Sequence, residues 1–223
     1  MAQAGIHSLI GVAVRKWVPK AEWLILGIVL GNLFPDTDNV AVAIATVAKL
    51  PTDGLHRTFT HSLFTIVAIL AIFYIIAALT KKARWNTLGI GLGIGVLMHI
   101  LLDLLIWFDG VVILWPISSW INLWGGYTPP EWFSKLMLPA EYLFLALYFL
   151  LLYSLARKYH TDRGYQGKLL GWIILQAILF VTFTVLVYTM SKGFTTINGV
   201  AYLLSLFLAI GVTIRMRRTV ETR

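Results

Sequence analysis

Residues 56–80 read HRTFTHSLFTIVAILAIFYIIAALT: a polar island of seven residues, then eighteen residues without one charge. The apolar part approaches the ~20 residues that an α-helix needs to cross a bilayer core. The island ahead of it carries two imidazoles and a guanidinium. Residues 86–107, NTLGIGLGIGVLMHILLDLLIW, form a second long run with His99 and Asp103 set inside it. Further apolar runs cover residues 139–156, 169–190 and 197–214. Only 13% of the 223 residues are charged and 59% are hydrophobic, whereas soluble domains carry about 25% charge. These features predict an all-α, polytopic membrane helical bundle with about five long transmembrane helices. They predict a single membrane domain over residues 1–223, with polar site residues in 1–120 and additional membrane helices in 121–223. The chain has no cysteine, which excludes disulfides and thiolate ligands.

The N-terminal part differs. Residues 4–14 and 21–34 are apolar but short, and Arg15, Lys16 and Lys20 lie between them. Fourteen helical residues extend about 21 Å, less than a ~30 Å hydrocarbon core. A short N-terminal helical hairpin fits, with its basic bend on the cytoplasmic side. The basic residues follow the first apolar stretch, so it does not read as a signal peptide. Residues 40–48 suggest another short helix, ended by Pro51 and Gly54.

The formal net charge is +8, but no nucleic-acid partner is expected, because the cations sit in short loops at helix ends. Lys81, Lys82 and Arg84 form one cluster; Arg157, Lys158, Arg163 and Lys168 a second; Arg215, Arg217 and Arg218 a third. The positive-inside rule places these clusters in the cytoplasm. Segment 62–80 then starts on the outer side and segment 86–107 ends there. The loop 109–138, with Trp115, Trp120, Trp124 and Trp132, is expected at the outer interface as a roof over the site.

Three polar islands stand out: Pro35-Asp36-Thr37-Asp38, His56 to Ser62, and His99 to Asp103. A charged group in the bilayer costs ~2.5–3.5 kcal/mol on insertion scales, so a shared partner is expected, and a metal ion suits His plus Asp. His99 and Asp103 are four apart and share a helix face. They could bind one metal, or the imidazole could simply hydrogen-bond its neighbour; the apolar surroundings of Asp103 favour the metal. Asp36 and Asp38, which Pro35 sets outside a continuing helix, could hold a cation or form a turn with Asn39. His56 and His61 could be ligands or part of an ordinary polar loop, with Thr60 or Ser62 capping the next helix. Arg57 could pair with an acid or with a substrate phosphate. His7 is a ligand candidate that could equally be structural. Glu141, just after Pro139, could be a favourable first-turn acid, a ligand or a base. Asp109 reads as a turn residue with Gly110. Glycines 89, 91, 93 and 95 lie within a membrane helix and read as a packing surface, not a dinucleotide fingerprint. No His-Glu-x-x-His motif, Gly-x-Ser-x-Gly elbow or desaturase-type His boxes are present.

Taken in order, His7, Leu33 to Asp38, His56 to Leu63, His99 to Asp103 and Leu114 to Ser118 resemble the bacterial inner-membrane metal-dependent hydrolase family. That family is also described as LexA-binding inner-membrane hydrolases. The resemblance covers roughly residues 1–120 and possesses one further candidate, Glu141. The ligand order is also remotely similar to zinc-dependent phospholipase C: an early His, an Asp, a His, then His-x-x-x-Asp. The phospholipase's later His and His-x-x-x-Glu ligands have no full match, which implies one or two ions in place of three.

The resemblance implies a metal-dependent hydrolase, acting on phosphoester bonds of a lipid or amphiphilic substrate near the non-cytoplasmic face of a bacterial or archaeal cytoplasmic membrane. Asp36, Asp38, His61, His99 and Asp103 are the leading metal ligands, with His7 and His56 behind them, and Arg57 and Glu141 are the catalytic candidates. Mixed imidazole and carboxylate donors suit Zn²⁺, then Mn²⁺ or Fe²⁺, over Ca²⁺. Two other classes stay open: a non-catalytic subunit of a membrane complex with a structural metal, and a metal-ion transporter. A transporter needs polar residues through the inner half of the bundle, where 169–190 and 197–214 offer few. The Cys-free background allows a direct test of orientation. A Trp124→Cys variant is expected to react with an impermeant maleimide from the non-cytoplasmic side of intact cells; labelling from the cytoplasmic side alone would reverse the assignment.

Overall fold

The computed structural model describes residues 4–222. The helices are α1 (Ala4–Ala13), α2 (Leu24–Leu33), α3 (Asn39–Ala48), α4 (Leu63–Thr80), α5 (Ala83–Ile106), α6 (Glu131–Lys158), α7 (Gln166–Thr189), α8 (Phe194–Arg215) and α9 (Arg217–Glu221). No strand occurs among the described residues; one antiparallel bridge pairs Val111 with Ile121. Five helices, α4 to α8, are long and apolar enough to cross a membrane. The fold is thus all-α and polytopic, as the hydropathy pattern predicts. The expected short hairpin appears as α1 and α2, joined through a 3-10 turn, Val14–Lys16.

The chain forms two compact units: one of Gly11–Thr128, and one of Pro129–Thr222 with the residues up to Ile10. In the first unit α2 and α5 pack backbone to backbone. A Cβ added at Gly27 or Gly31 would strike the main chain of α5, and one at Gly91 or Gly95 would strike that of α2. Small residues four apart allow such an approach, which substitutes van der Waals contact for the hydrophobic drive that lipid does not supply. The intervening Gly89 and Gly93 face α4, where a Cβ would meet Phe73 or Ile66 and Leu70. Residues two apart lie on different helix faces, so one alternating glycine series seats two partners. At the N-terminal ends of α2 and α5, Trp23 packs edge-on to Trp85 at 5.1 Å, and Arg84 lies 4.5 Å over the Trp23 ring. The two helices therefore run parallel from a common starting level. Helix α4 buries none of its residues; Val67, Ile72, Ile75 and Leu79 are exposed, as befits a lipid-facing span.

In the second unit, buried polar pairs tie the long helices together. The Tyr142 hydroxyl of α6 donates to the Asn198 side chain of α8 at 3.1 Å, and the Gln176 amide of α7 donates to Ser205 of α8 at 3.1 Å. Tyr148 and Thr213 share a hydroxyl bond of 2.6 Å.

Two local expectations change. The apolar run beginning at residue 139 suggests a helix start there, but α6 starts at Glu131 and carries Pro139 in its interior. Proline forfeits one i→i−4 bond, a loss that membrane helices tolerate. Trp132 consequently sits on α6, and Glu141 lies beyond the first turn. Pro35 likewise does not end helical backbone: Pro35–Asp38 is a 3-10 turn leading straight into α3, with proline at its permitted first position.

The glycine contact generates a prediction. Gly91→Leu is expected to destabilise the detergent-solubilised protein by about 3 kcal/mol or more, above the usual overpacking range because backbone cannot yield. Gly171→Leu, whose Cβ position meets nothing, is expected to change stability by roughly 0.5 kcal/mol or less. Thermal unfolding followed by tryptophan fluorescence distinguishes the two.

Candidate metal centre

All three polar islands meet within the Gly11–Thr128 unit. Helix α2 delivers Asn32, Asp36 and Asp38 at and beyond its C-terminal end, α5 delivers His99 and Asp103, and the 3-10 turn Phe59–His61 delivers His61 ahead of α4. Asp36, Asp38, His61, His99 and Asp103 are all buried.

Two imidazoles form the middle of the cluster. His61 Nε2 and His99 Nε2 lie 3.2 Å apart. His99 Nδ1 is 2.8 Å from the Asn32 carbonyl oxygen, which can only accept, so Nδ1 carries the proton and a neutral ring presents a lone pair at Nε2. His61 Nδ1 is 3.3 Å from Asp38 Oδ2 and 3.0 Å from Thr60 Oγ1. Its proton also belongs at Nδ1, because Thr60 Oγ1 spends its own hydrogen on Asp38 Oδ2 at 2.8 Å. Burial pushes the His61 imidazole below its ordinary pKa, against the opposing pull of Asp38 and Asp103. Two nitrogen lone pairs thus face each other in a dry interior. That arrangement repels unless a proton or a metal cation lies between them.

Carboxylates flank this pair. Asp36 Oδ1 is 3.7 Å from His99 Nε2. Asp103 Oδ2 is 3.6 Å from His61 Nε2 and 3.8 Å from His99 Nε2. Donors bound at about 2.0–2.2 Å around a tetrahedral Zn²⁺ stand roughly 3.3–3.6 Å apart, so the spacing needs only small adjustment. Asp36, His61 and His99 offer ligand atoms all within 4.8 Å of one another, as do Asp38, His56 and His61. These buried His and Asp groups could hold a metal ion.

Asp38 is the hub of the surrounding network. Its Oδ1 accepts from His56 Nδ1 at 2.7 Å. Its Oδ2 accepts the Arg57 backbone N–H at 3.0 Å besides the Thr60 hydroxyl. Burial alone would raise its pKa, but the hydrogen bonds and charges of His56 and His61 outweigh that and hold the carboxyl well below its usual range. Arg57 is buried with a left-handed backbone, φ 61°. Such a conformation costs a non-glycine residue on the order of 1–3 kcal/mol and persists where neighbours fix it. Here Asp38 takes its N–H, and its carbonyl accepts from Val112 at 3.0 Å. The guanidinium then meets Asp103 Oδ2 at 3.1 Å and Asp109 Oδ2 at 3.3 Å. Asp109 is therefore an ion-pair partner as well as a turn residue. Ser62, not Thr60, caps α4, accepting from the Phe64 N–H at 3.2 Å. The loop after α5 closes onto this segment: Leu63 N–H donates to the Ile113 carbonyl at 2.8 Å.

His7 and Glu141 belong to the other unit. His7 is buried in α1. Glu141 is buried in α6, where both its oxygens accept the Gly5 N–H, at 3.1 and 3.2 Å, and so satisfy a donor in the first turn of α1. Asn32 escaped notice in the sequence, because it acts through its carbonyl, and a main-chain role leaves no side-chain signature. Thr60 attracts attention as a cap and serves instead as a carboxylate partner.

The fold and this cluster define a multi-pass membrane protein with a buried His–Asp centre able to hold a metal ion. A family model described as YdjM inner membrane protein matches residues 2–219, and the chain belongs to that family. The match runs far beyond the first 120 residues, where the motif resemblance lies. No curated protein and no solved structure shows a significant match.

The Arg57–Asp103 pair yields a test. Removing one partner of a buried pair typically costs about 3–5 kcal/mol. Arg57→Met is expected to lower the thermal midpoint accordingly, and Arg57→Met combined with Asp103→Leu to recover part of the loss. A double variant no more stable than Arg57→Met would show that the ion pair is not the source.

Proposed function

We propose that this chain is a membrane-embedded metal-dependent hydrolase of phosphoester bonds, with Asp36, His61 and His99 as its metal ligands. The observation that carries the reading is the 3.2 Å approach of His61 Nε2 to His99 Nε2, with a polar partner at each Nδ1. Catalytic metal sites commonly use three protein ligands and leave one position open. A borderline-soft divalent ion suits this donor set, Zn²⁺ first and Mn²⁺ or Fe²⁺ next. When bound, such an ion supplies Lewis acidity that activates water near neutral pH and polarises the ester.

The protein's own groups have separable tasks. Asp38 and the Asn32 carbonyl hold the His61 and His99 rings in the ligating tautomer, as outer partners of metal-bound histidines generally do. Asp103, held beside Arg57 and within 3.6–3.8 Å of both Nε2 atoms, is the carboxylate placed to take a proton from a water at the site. Arg57 has its second contact to Asp109, whose side chain is 67% exposed; exchanging that contact for a substrate phosphate leaves the Asp103 pair in place. His56 and Asp109 form the accessible edge of an otherwise buried cluster. The site's position at the ends of α2 and α5 away from the Lys81–Arg84 bend favours an amphiphilic or lipid substrate reached from the non-cytoplasmic side.

The near-complete burial of the cluster favours a second reading, a structural metal within a membrane complex. Elemental analysis and hydrolysis assays on phosphodiesters and phospholipids separate the two. Purified protein is expected to carry at least one divalent ion per chain, and His99→Ala to lose it. Asp38→Ala is expected to weaken metal affinity about 10–100-fold. Asp103→Asn is expected to retain metal while hydrolysis falls by about 10²–10⁴. Wild-type protein that binds none of the three metals would sink both readings; bound metal without hydrolysis of any substrate would select the structural one.

A further inference from the structure

The basic clusters at residues 157–168 and 215–218 have so far only an orienting role, yet part of them builds a cavity. A pocket of about 710 Å³ lies between the turn His160–Tyr165 and the junction of α8 with α9, lined among others by Arg163, Arg215, Arg217 and Arg218. One acid lines it, Asp162, and its carboxylate is already engaged. Oδ2 accepts the Thr219 backbone N–H at 3.1 Å and the Thr219 hydroxyl at 2.9 Å. Thr161 Oγ1 bonds Thr219 Oγ1 at 2.8 Å. The acid thus staples the two walls together, its Oδ2 spent on Thr219. Among the described residues, none of the four arginines has a carboxylate within ion-pair distance. Arg215 instead lies 5.5 Å from the centre of the Tyr165 ring, and Tyr165 accepts the Trp172 indole N–H at 3.3 Å. Asp162 adopts φ 44° and His160 φ 57°, two left-handed residues in one short turn. Asp and His are among the residue types that enter this region most readily.

We propose that this pocket binds a phosphate group, most naturally that of an anionic glycerophospholipid. Four guanidiniums around a concave surface match the multiple oxygens of a phosphate in geometry and charge. The pocket sits at the ends of three membrane-spanning helices, where a headgroup lies. Ile214, which lines it, is 49% exposed and offers acyl chains an apolar surface next to the cationic one. Basic pockets between membrane helices on the cytoplasmic side are a recurrent form of headgroup recognition. Free inorganic phosphate shares the recognised chemistry but does not use the apolar flank. The site lies wholly in the Pro129–Thr222 unit and is independent of the metal centre.

The test uses full-length protein in a non-ionic detergent. Native mass spectrometry measures retention of added phosphatidylglycerol against phosphatidylcholine, and thermal shift measures the response to inorganic phosphate. Wild-type protein is expected to prefer phosphatidylglycerol at least tenfold. Each arginine near the surface contributes about fivefold in affinity, so Arg217→Gln with Arg218→Gln is expected to weaken binding about 25-fold. Arg163→Gln, on the other wall, is expected to weaken it about fivefold, and Lys192→Gln not at all. Ligand-free thermal midpoints equal to wild type show that the variants fold. Stabilisation by inorganic phosphate with the same arginine dependence, without lipid preference, would support the phosphate site and assign it a soluble ligand. Equal retention of both lipids with no response to phosphate would overturn the proposal, as would arginine variants that bind like wild type.

Discussion

The close contact of α2 with α5 sets the geometry on which the candidate centre depends. Gly27 and Gly31 meet Gly91 and Gly95 with no side chain between the backbones. The Asn32 carbonyl can reach His99 Nδ1, and Asp36 can stand beside His99 Nε2, only because the helices approach so closely. In lipid there is little hydrophobic gain in bringing helices together, so interlocking backbones must do it. The matched ends at Trp23 and Trp85 fix the register, and the C-terminal ends of both helices then bring their polar residues to one level.

Asp38 converts that proximity into a defined site. It accepts from His56, the Arg57 main chain and Thr60, and lies against His61 Nδ1. These donors together outweigh burial and keep the carboxylate ionised. It orders the 3-10 turn Phe59–His61 and the strained Arg57 backbone, and through them orients both His61 and the Arg57 guanidinium. Asp36, by contrast, stands beside His99, its Oδ1 3.7 Å from Nε2. Two aspartates two apart in sequence thus have different tasks.

The two units put different chemistry into the membrane. The Gly11–Thr128 unit concentrates ionisable groups at one end of its helices. The Pro129–Thr222 unit uses neutral pairs, such as Tyr148 with Thr213 and Gln176 with Ser205, to join α6, α7 and α8. Hydroxyls and amides link helices without the desolvation cost of charge. Apart from Glu141, buried in α6 against the Gly5 N–H, its charged residues gather at the helix ends, where water and headgroups are available.

The amino-acid sequence by itself determined the five spans, the short N-terminal hairpin and which residues are chemically out of place. Hydrophobic run length and the cost of charge in lipid are local properties, readable without a fold. The sequence missed the start of α6, because Pro139 imitates a boundary, and it read Pro35–Asp38 as irregular where the backbone stays helical. Only the tertiary structure decided that residues 36, 61, 99 and 103 form one buried cluster, that Asp38 faces two histidines, and that Arg57 lies between Asp103 and Asp109. Those relations depend on helix register and on main-chain partners such as the Asn32 carbonyl. Neither leaves a mark on residue type, because each arises from distances between segments far apart in the chain.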